Sequence, residues 1–295
     1  MSSDSLAAKR RGYVLVAIAA CGWGTWPLIL KHAPMPPALQ SAVMMTVLTV
    51  ASLPVMARDR VRVRATAKQW LGIAWLGVAD AGNAGLFFAA YQRTSVAVAV
   101  LTHYLTPIFV ALAAPVVLGE RARPRTYGAV AIAFGGLVLL LEPWRAGLGR
   151  DDLVGAALGA GSAVFYASNV LVNKRLVPAF SGSEMMFFHG LFSVPILFAM
   201  VPAGTWADVP PYAWKVMLLG ALGPGAACGL LFVWGLRAIP ASHASVLALL
   251  EPLVAVVLAA VVIRERLGAV PMLGAAAILT GAALAIGYNR RGDGP

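Results

Sequence analysis

Apolar residues fall in long blocks, separated by short polar or proline-bearing breaks. Ten blocks approach the length of a bilayer core: roughly 13–31, 38–57, 70–91, 96–118, 126–143, 153–173, 184–202, 212–236, 241–263 and 268–288. A spanning helix needs about 20 mostly apolar residues. The breaks carry turn chemistry: Pro34, Pro36 and Pro37; Arg58 to Lys68; Arg123-Pro124-Arg125; Arg150-Asp151-Asp152; Ser181-Gly182-Ser183; Pro210-Pro211. No block alternates polar and apolar positions as barrel strands do. The pattern predicts an all-α integral membrane fold with ten transmembrane helices.

Composition agrees. The 295 residues are 60% hydrophobic and 12% charged, with mean hydropathy +0.81; a soluble domain carries about 25% charge. A soluble enzyme, a disordered chain and a secreted disulfide scaffold are excluded. Cys21 and Cys228 both lie inside apolar blocks. The net charge of +11 suggests nucleic acid until the basic residues are placed. With the N-terminus inside, 16 of 23 Lys and Arg fall on that side (Lys9, Arg10, Arg11; Arg58, Arg60, Arg62, Arg64, Lys68; Arg121, Arg123, Arg125; Lys174, Arg175; Arg237; Arg290, Arg291) and 7 on the other. That is the positive-inside bias, so no nucleic-acid partner is expected. An even number of spans then puts both termini in the cytoplasm of a cell inner (plasma) membrane protein, with the lipid bilayer as its surroundings. Lys9-Arg10-Arg11 followed by Ile18-Ala19-Ala20-Cys21 resembles a lipoprotein signal. Apolar character continues to Leu30, too long for a signal core, and 13–31 is read as the first span.

An internal repeat is the most informative feature. Residues 105–121, LTPIFVALAAPVVLGER, align with 250–266, LEPLVAVVLAAVVIRER. Pro107 meets Pro252, Glu120 meets Glu265 and Arg121 meets Arg266, and Gly-rich helices follow at 128–141 and 274–287. Trp23-Gly24-Thr25 through Lys31 matches Tyr166-Ala167-Ser168 through Lys174 more weakly. The chain divides into halves of five helices, 1–148 and 149–295. Five is odd, so the halves are expected to insert in opposite orientations, an arrangement typical of secondary transporters.

The twice-repeated L-x-P, apolar stretch, E-R and Gly-rich helix over ten spans resembles the drug/metabolite transporter (DMT) superfamily, in particular its EamA-type branch. Leu249-Leu250-Glu251-Pro252 through Glu265-Arg266-Leu267 is the nearer copy; the first has Thr106 where an acid would precede Pro107. The resemblance implies a central cavity and export of small metabolites or amino acids. It does not name the substrate. A membrane enzyme acting on a lipid-linked substrate stays open as the alternative.

Charged side chains at mid-bilayer cost about 2.5–3.5 kcal/mol on insertion scales and invite a functional reading. Asp80 and Glu251 qualify. Asp80, Asn83, Phe87 and Tyr91 share one helix face, as do Ser162, Tyr166, Asn169 and Asn173 on the sixth span. With Trp23, Trp26, His103 and Thr106 they are the candidate lining of a substrate cavity. Interhelical bonding and lipid packing are the competing roles for each. Glu251, Pro107 and Pro252 are the candidates for coupling or gating: each proline frees a backbone carbonyl and weakens one turn. Trp234 is read as an interface anchor. Gly155/Gly159 and Gly225/Gly229 suit close helix crossing, either within the chain or in a homodimer. No phosphate loop, metal-ligand spacing or G-x-S-x-G elbow is present. The expectation is a non-enzyme with no cofactor and no metal.

Overall fold

The apolar blocks fold as helices because no other open structure satisfies backbone polar groups in lipid. The computed structural model describes residues 3–59, 64–120, 124–145, 149–263 and 268–287. Arg60, Arg62, Arg121, Arg123, Arg264, Glu265, Arg266, Arg290 and Arg291 lie outside the described residues. Ten helical spans are present: α1 (Leu6–His32), α2 (Pro37–Asp59), α3 (Ala67–Tyr91), α4 (Val96–Leu118), α5 (Pro124–Arg145), α6 (Arg150–Leu176), α7 (Gly182–Ala199), α8 (Pro211–Leu236), α9 (Ala241–Val262) and α10 (Ala269–Gly287). No strand occurs among the described residues. Most boundaries fall within three residues of the sequence reading. The exception is α1, whose helix begins at Ser3, because Lys9, Arg10 and Arg11 extend it out of the apolar block.

Polar residues at the helix starts explain several boundaries. Thr66 and Gln69 cap each other's backbone before α3, and Ser181 and Glu184 do so before α7. Asp152 Oδ2 accepts from the Gly149 nitrogen at 2.7 Å ahead of α6. Gly119 ends α4 at φ 69°, a left-handed turn that glycine adopts without strain.

Three spans are broken: α1 at Gly24–Thr25, α4 at Tyr104–Leu105 and α9 at Leu249. A proline follows each break within three residues: Pro27, Pro107 and Pro252. The expected bends therefore fall just before Pro107 and Pro252. Each proline sits in the first turn of a new helix, where its missing N–H costs least. The carbonyl freed at His103 accepts the Thr106 hydroxyl at 2.8 Å. α8 widens to a π-helical turn at Ala221–Ala227, around Pro224.

The helix neighbours form a regular pattern. α2 packs on α7 and α5 on α10; α3 meets α6 and α7 while α8 meets α1 and α2; α4 meets α6 while α9 meets α1. Exchanging each helix with the one five places along reproduces the same set. The α5–α10 pair packs backbone against backbone. A β-carbon on Gly274 would stand 2.5 Å from the Leu140 nitrogen and 2.6 Å from the Gly136 oxygen. Gly155 and Gly159 of α6 face Thr94 and Thr102 of the same chain. Leu71, Val116, Leu219 and Val261 stay exposed, as side chains facing lipid must.

Candidate functional site

The two polar stripes meet. α3 and α6 pack side by side, so Asn83 Oδ1 accepts from Ser162 Oγ at 2.7 Å and Asp80 Oδ1 accepts from Asn169 Nδ2 at 2.7 Å. Asn169 Oδ1 accepts in turn from Asn173 Nδ2 at 2.7 Å. A line of polar side chains thus runs along the α3–α6 seam, in which Asp80 Oδ2 and Asn173 Oδ1 are buried without a hydrogen-bond partner.

Toward the other end of that seam the lining turns aromatic. His103 Nδ1 lies 2.8 Å from Ser162 Oγ. Its ring stacks on Tyr166 at 5.3 Å and leans on Phe87 at 4.3 Å; Phe87 meets Tyr91 edge-on at 4.7 Å. Thr106 bonds the His103 carbonyl and lies 3.4 Å from the Ala163 oxygen. Glu251 lies against Tyr104, within electrostatic reach of Tyr91 and Tyr166. The break in α4 aims Tyr104 inward, and the break in α9 brings Glu251 to it. A narrow crevice bounded by Tyr104, Thr106, Tyr166, Phe232 and Ser245 runs between the halves, without room for a water molecule.

Trp23 packs on Phe232 at 5.1 Å and so borders the far wall of that crevice. Trp26 lies apart, in an apolar cluster with Leu39, Val43 and Met217. Trp234 is not a lipid anchor: its Nε1 donates to Asp59 Oδ2 at 3.1 Å, and the ring covers Gly182. The sequence reading missed His189, whose Nε2 stands 2.9 Å from Asp80 Oδ2. It is a lone histidine in an apolar helix, without a polar stripe to mark it.

Polar contacts between the halves gather at the end of the molecule that holds the start of α1. Asp59 Oδ2 accepts from Trp234 and, at 3.3 Å, from Ser183 Oγ. Glu120 Oε2 accepts from the Ala241 nitrogen at 3.0 Å, at the first turn of α9. Tyr13 Oη lies 2.6 Å from His243 Nδ1. Nearby, Lys174 Nζ donates to the carbonyls of Leu236 and Ile239 at 2.7 Å each. Burial raises the Glu120 carboxyl above its ordinary value, opposed by Lys174 and the Ala241 N–H. At the other end the halves meet through Thr94 Oγ1, which donates to Asp152 Oδ1 at 2.6 Å, and through an apolar cluster of Ala33, Met35 and Leu39 with Val209, Ala213 and Met217.

Ten apolar helices around a polar and aromatic seam define a multi-pass membrane protein. The EamA-like transporter family model matches residues 10–142 and again 153–287. An uncharacterised transporter of Archaeoglobus fulgidus is 30% identical over 200 residues, 68% of this chain and 70% of that one. An uncharacterised transporter of Bacillus subtilis is 28% identical over 201 residues, 66% of each. A riboflavin transporter of Rhizobium johnstonii is 35% identical over 71 residues, 24% of this chain and 22% of that one. A crystal structure at 20% identity superposes with a TM-score of 0.79 over 93% of this chain and 97% of that one, which supports the fold alone. The chain belongs to the EamA-like transporter family, within the drug/metabolite transporter superfamily. Its relatives are named as transporters, not as enzymes.

Proposed function

We propose that this is a secondary transporter of the inner membrane that exports a small amphipathic metabolite or amino acid, by alternating access between two inverted five-helix halves, 1–148 and 149–295. The observation that carries the reading is the position of the seam. Asn83, Ser162, His103 and Tyr166 form a polar and aromatic lining where α3 and α4 of one half meet α6 of the other. An amphipathic solute needs both kinds of surface, a few placed polar groups and stackable rings. The exchange symmetry of the helix neighbours supports inversion, since five spans per half reverse the insertion of the second. Inversion places equivalent structures at opposite membrane faces, as alternating access requires. The cross-half contacts gathered at the α1 end fit a state closed on that face. The positive-inside bias makes that face cytoplasmic, with both termini there.

The test is solute counterflow in proteoliposomes. Purified protein is first screened by thermal shift against amino acids, amines and riboflavin, the last because of the short alignment to a riboflavin transporter. A stabilising solute should then exchange across the vesicle wall only when protein is present, chemically unchanged. Product formation without exchange would favour the membrane-enzyme alternative.

A further inference from the structure

At the α1 end, the turn that joins α8 to α9 is clasped from two sides. Lys174 Nζ donates to the carbonyls of Leu236 and Ile239 at 2.7 Å each, and Glu120 Oε2 accepts from the Ala241 nitrogen at 3.0 Å. The last carbonyls of a helix have no partner in their own ladder and form the negative end of its dipole. An ammonium with three donors suits them. A neighbouring cation does not disturb the clasp, because Arg237 turns its guanidinium to the Phe180 carbonyl at 3.3 Å.

The clasp joins two groups of helices that are not the sequence halves. α6 packs on α3 and α4, whereas α1 packs on α8 and α9. Lys174 comes from α6 and Glu120 from the chain just after α4, while the clasped turn belongs to α8 and α9. The clasp therefore ties the group α3, α4 and α6 to the group α1, α8 and α9. Moving five places along the chain turns each group into the other, so the opposite end of the molecule holds a counterpart of every part.

In the register that sets Pro107 on Pro252, Leu236 falls on Tyr91, Ile239 on Thr94 and Ala241 on Val96. Lys174 falls on Lys31 at the end of α1. The α3–α4 turn is thus the counterpart of the clasped turn, and α1 carries the matching ammonium. Their states differ. Leu236, Ile239 and Ala241 are 0%, 1% and 0% accessible, whereas Tyr91 is 37% and Val96 63% accessible. Lys31 is exposed. Among the described residues, the apolar cluster at this end draws on α1, α2, α7, α8 and their connections, not on α3 or α4. One turn is shut under its lysine and the other lies open.

We propose that Lys31 is a strap for the face opposite the start of α1: when that face closes, its ammonium takes the carbonyls at the C-terminal end of α3, as Lys174 takes those of α8 here. The strap rests on the alternating-access reading, since the two clasps exclude each other only if one face opens as the other closes. Lys31 stands in solvent in the present state, so its charge carries no desolvation cost until the strap closes.

The test labels a single cysteine at Ser245, which lines the crevice, in full-length protein lacking Cys21 and Cys228. A membrane-impermeant maleimide is supplied from the α1 face. Lys174→Met removes the clasp present here and should speed labelling. Lys31→Met removes the opposing strap and should slow it. A hydrogen bond to a charged group corresponds to about a tenfold change in population, so shifts of about tenfold in opposite directions are expected. The double variant should return toward the wild-type rate, and Lys31→Arg, which keeps the donors, should stay near it. Weakened packing speeds labelling, so a slower rate in Lys31→Met has no merely structural imitation. Lys31 is exposed, and Lys31→Met therefore decides the matter even if Lys174→Met folds poorly. An unchanged or faster rate in Lys31→Met overturns the strap; wild-type solute counterflow alongside that result leaves the transport reading standing. Opposite shifts without counterflow keep the strap and count against the transport reading.

Discussion

On the transport reading, replacing Glu120 with alanine should open the face that holds the start of α1. Glu120 caps the first turn of α9 from across the boundary between halves, through the Ala241 nitrogen at 3.0 Å. A hydrogen bond to a charged group contributes about 1.5–3 kcal/mol, and loss of a helix cap costs about 0.5–2 kcal/mol. Both describe the same bond, and it lies at a partly wetted end, so about 2 kcal/mol is the working figure for Glu120→Ala. At about 1.4 kcal/mol per decade, that shifts the closed–open equilibrium roughly 30-fold. The assay is labelling of a single cysteine at Ser245, which lines the crevice, in a background lacking Cys21 and Cys228. A membrane-impermeant maleimide supplied from the α1 face should react about 30-fold faster in Glu120→Ala, as the labelling rate follows the open population. Glu120→Gln keeps an acceptor oxygen and should show a smaller rise. If thermal stability falls while the labelling rate stays flat, Glu120 supports the fold and not closure, and the reasoning fails.

The same carboxyl gives a pH dependence. Burial raises its proton affinity in the closed state, so closing takes up protons and mild acid should favour closure. Labelling at Ser245 should slow as pH falls through the window just above the ordinary carboxylate value, and Glu120→Gln should remove that slope. Gly274→Val should clash with the Leu140 backbone and cost about 1–3 kcal/mol as an overpacked contact, read as a lowered thermal midpoint; a midpoint equal to wild type would contradict the α5–α10 packing. Pro107→Ala should change stability by less than about 1 kcal/mol, because a new N–H at a first helical turn has little to gain and the His103 carbonyl is already taken by Thr106. Outside-only labelling of cysteines placed at positions 3 or 293 would refute the proposed topology.

Helix count, order and extent were legible because lipid imposes one rule on every span, about 20 apolar residues bounded by turn chemistry. The repeat was legible because Pro107 and Pro252 keep their place relative to Glu120 and Glu265. The breaks in α4 and α9 were less so. Proline marks where a helix cannot continue its hydrogen bonds, but the structure breaks at Tyr104–Leu105 and Leu249, ahead of each proline. The break in α1 before Pro27 carried the same signal and was not read.

The site divides along the same physical line. Helical periodicity brought Asp80 with Asn83 and Asn169 with Ser162 onto two faces, and those faces meet in the order that antiparallel neighbours require: residue 80 with 169, residue 83 with 162. Periodicity reports which residues share a face, so it works where polar residues recur along one helix. His189 has no such companion. Apart from Ser193, one turn on and also buried, its own face of α7 is apolar, and its partner lies on α3, more than a hundred residues away in sequence. Only the packing of α3 against α7 makes the pair, and that packing depends on Gly77, where a β-carbon would stand 2.5 Å from Phe192 and 2.9 Å from the His189 carbonyl oxygen. A small residue thus sets the distance between one carboxyl and one imidazole. The chemistry of the pair is written in a glycine that carries no chemistry itself, and no pattern of polar positions along the chain could disclose it.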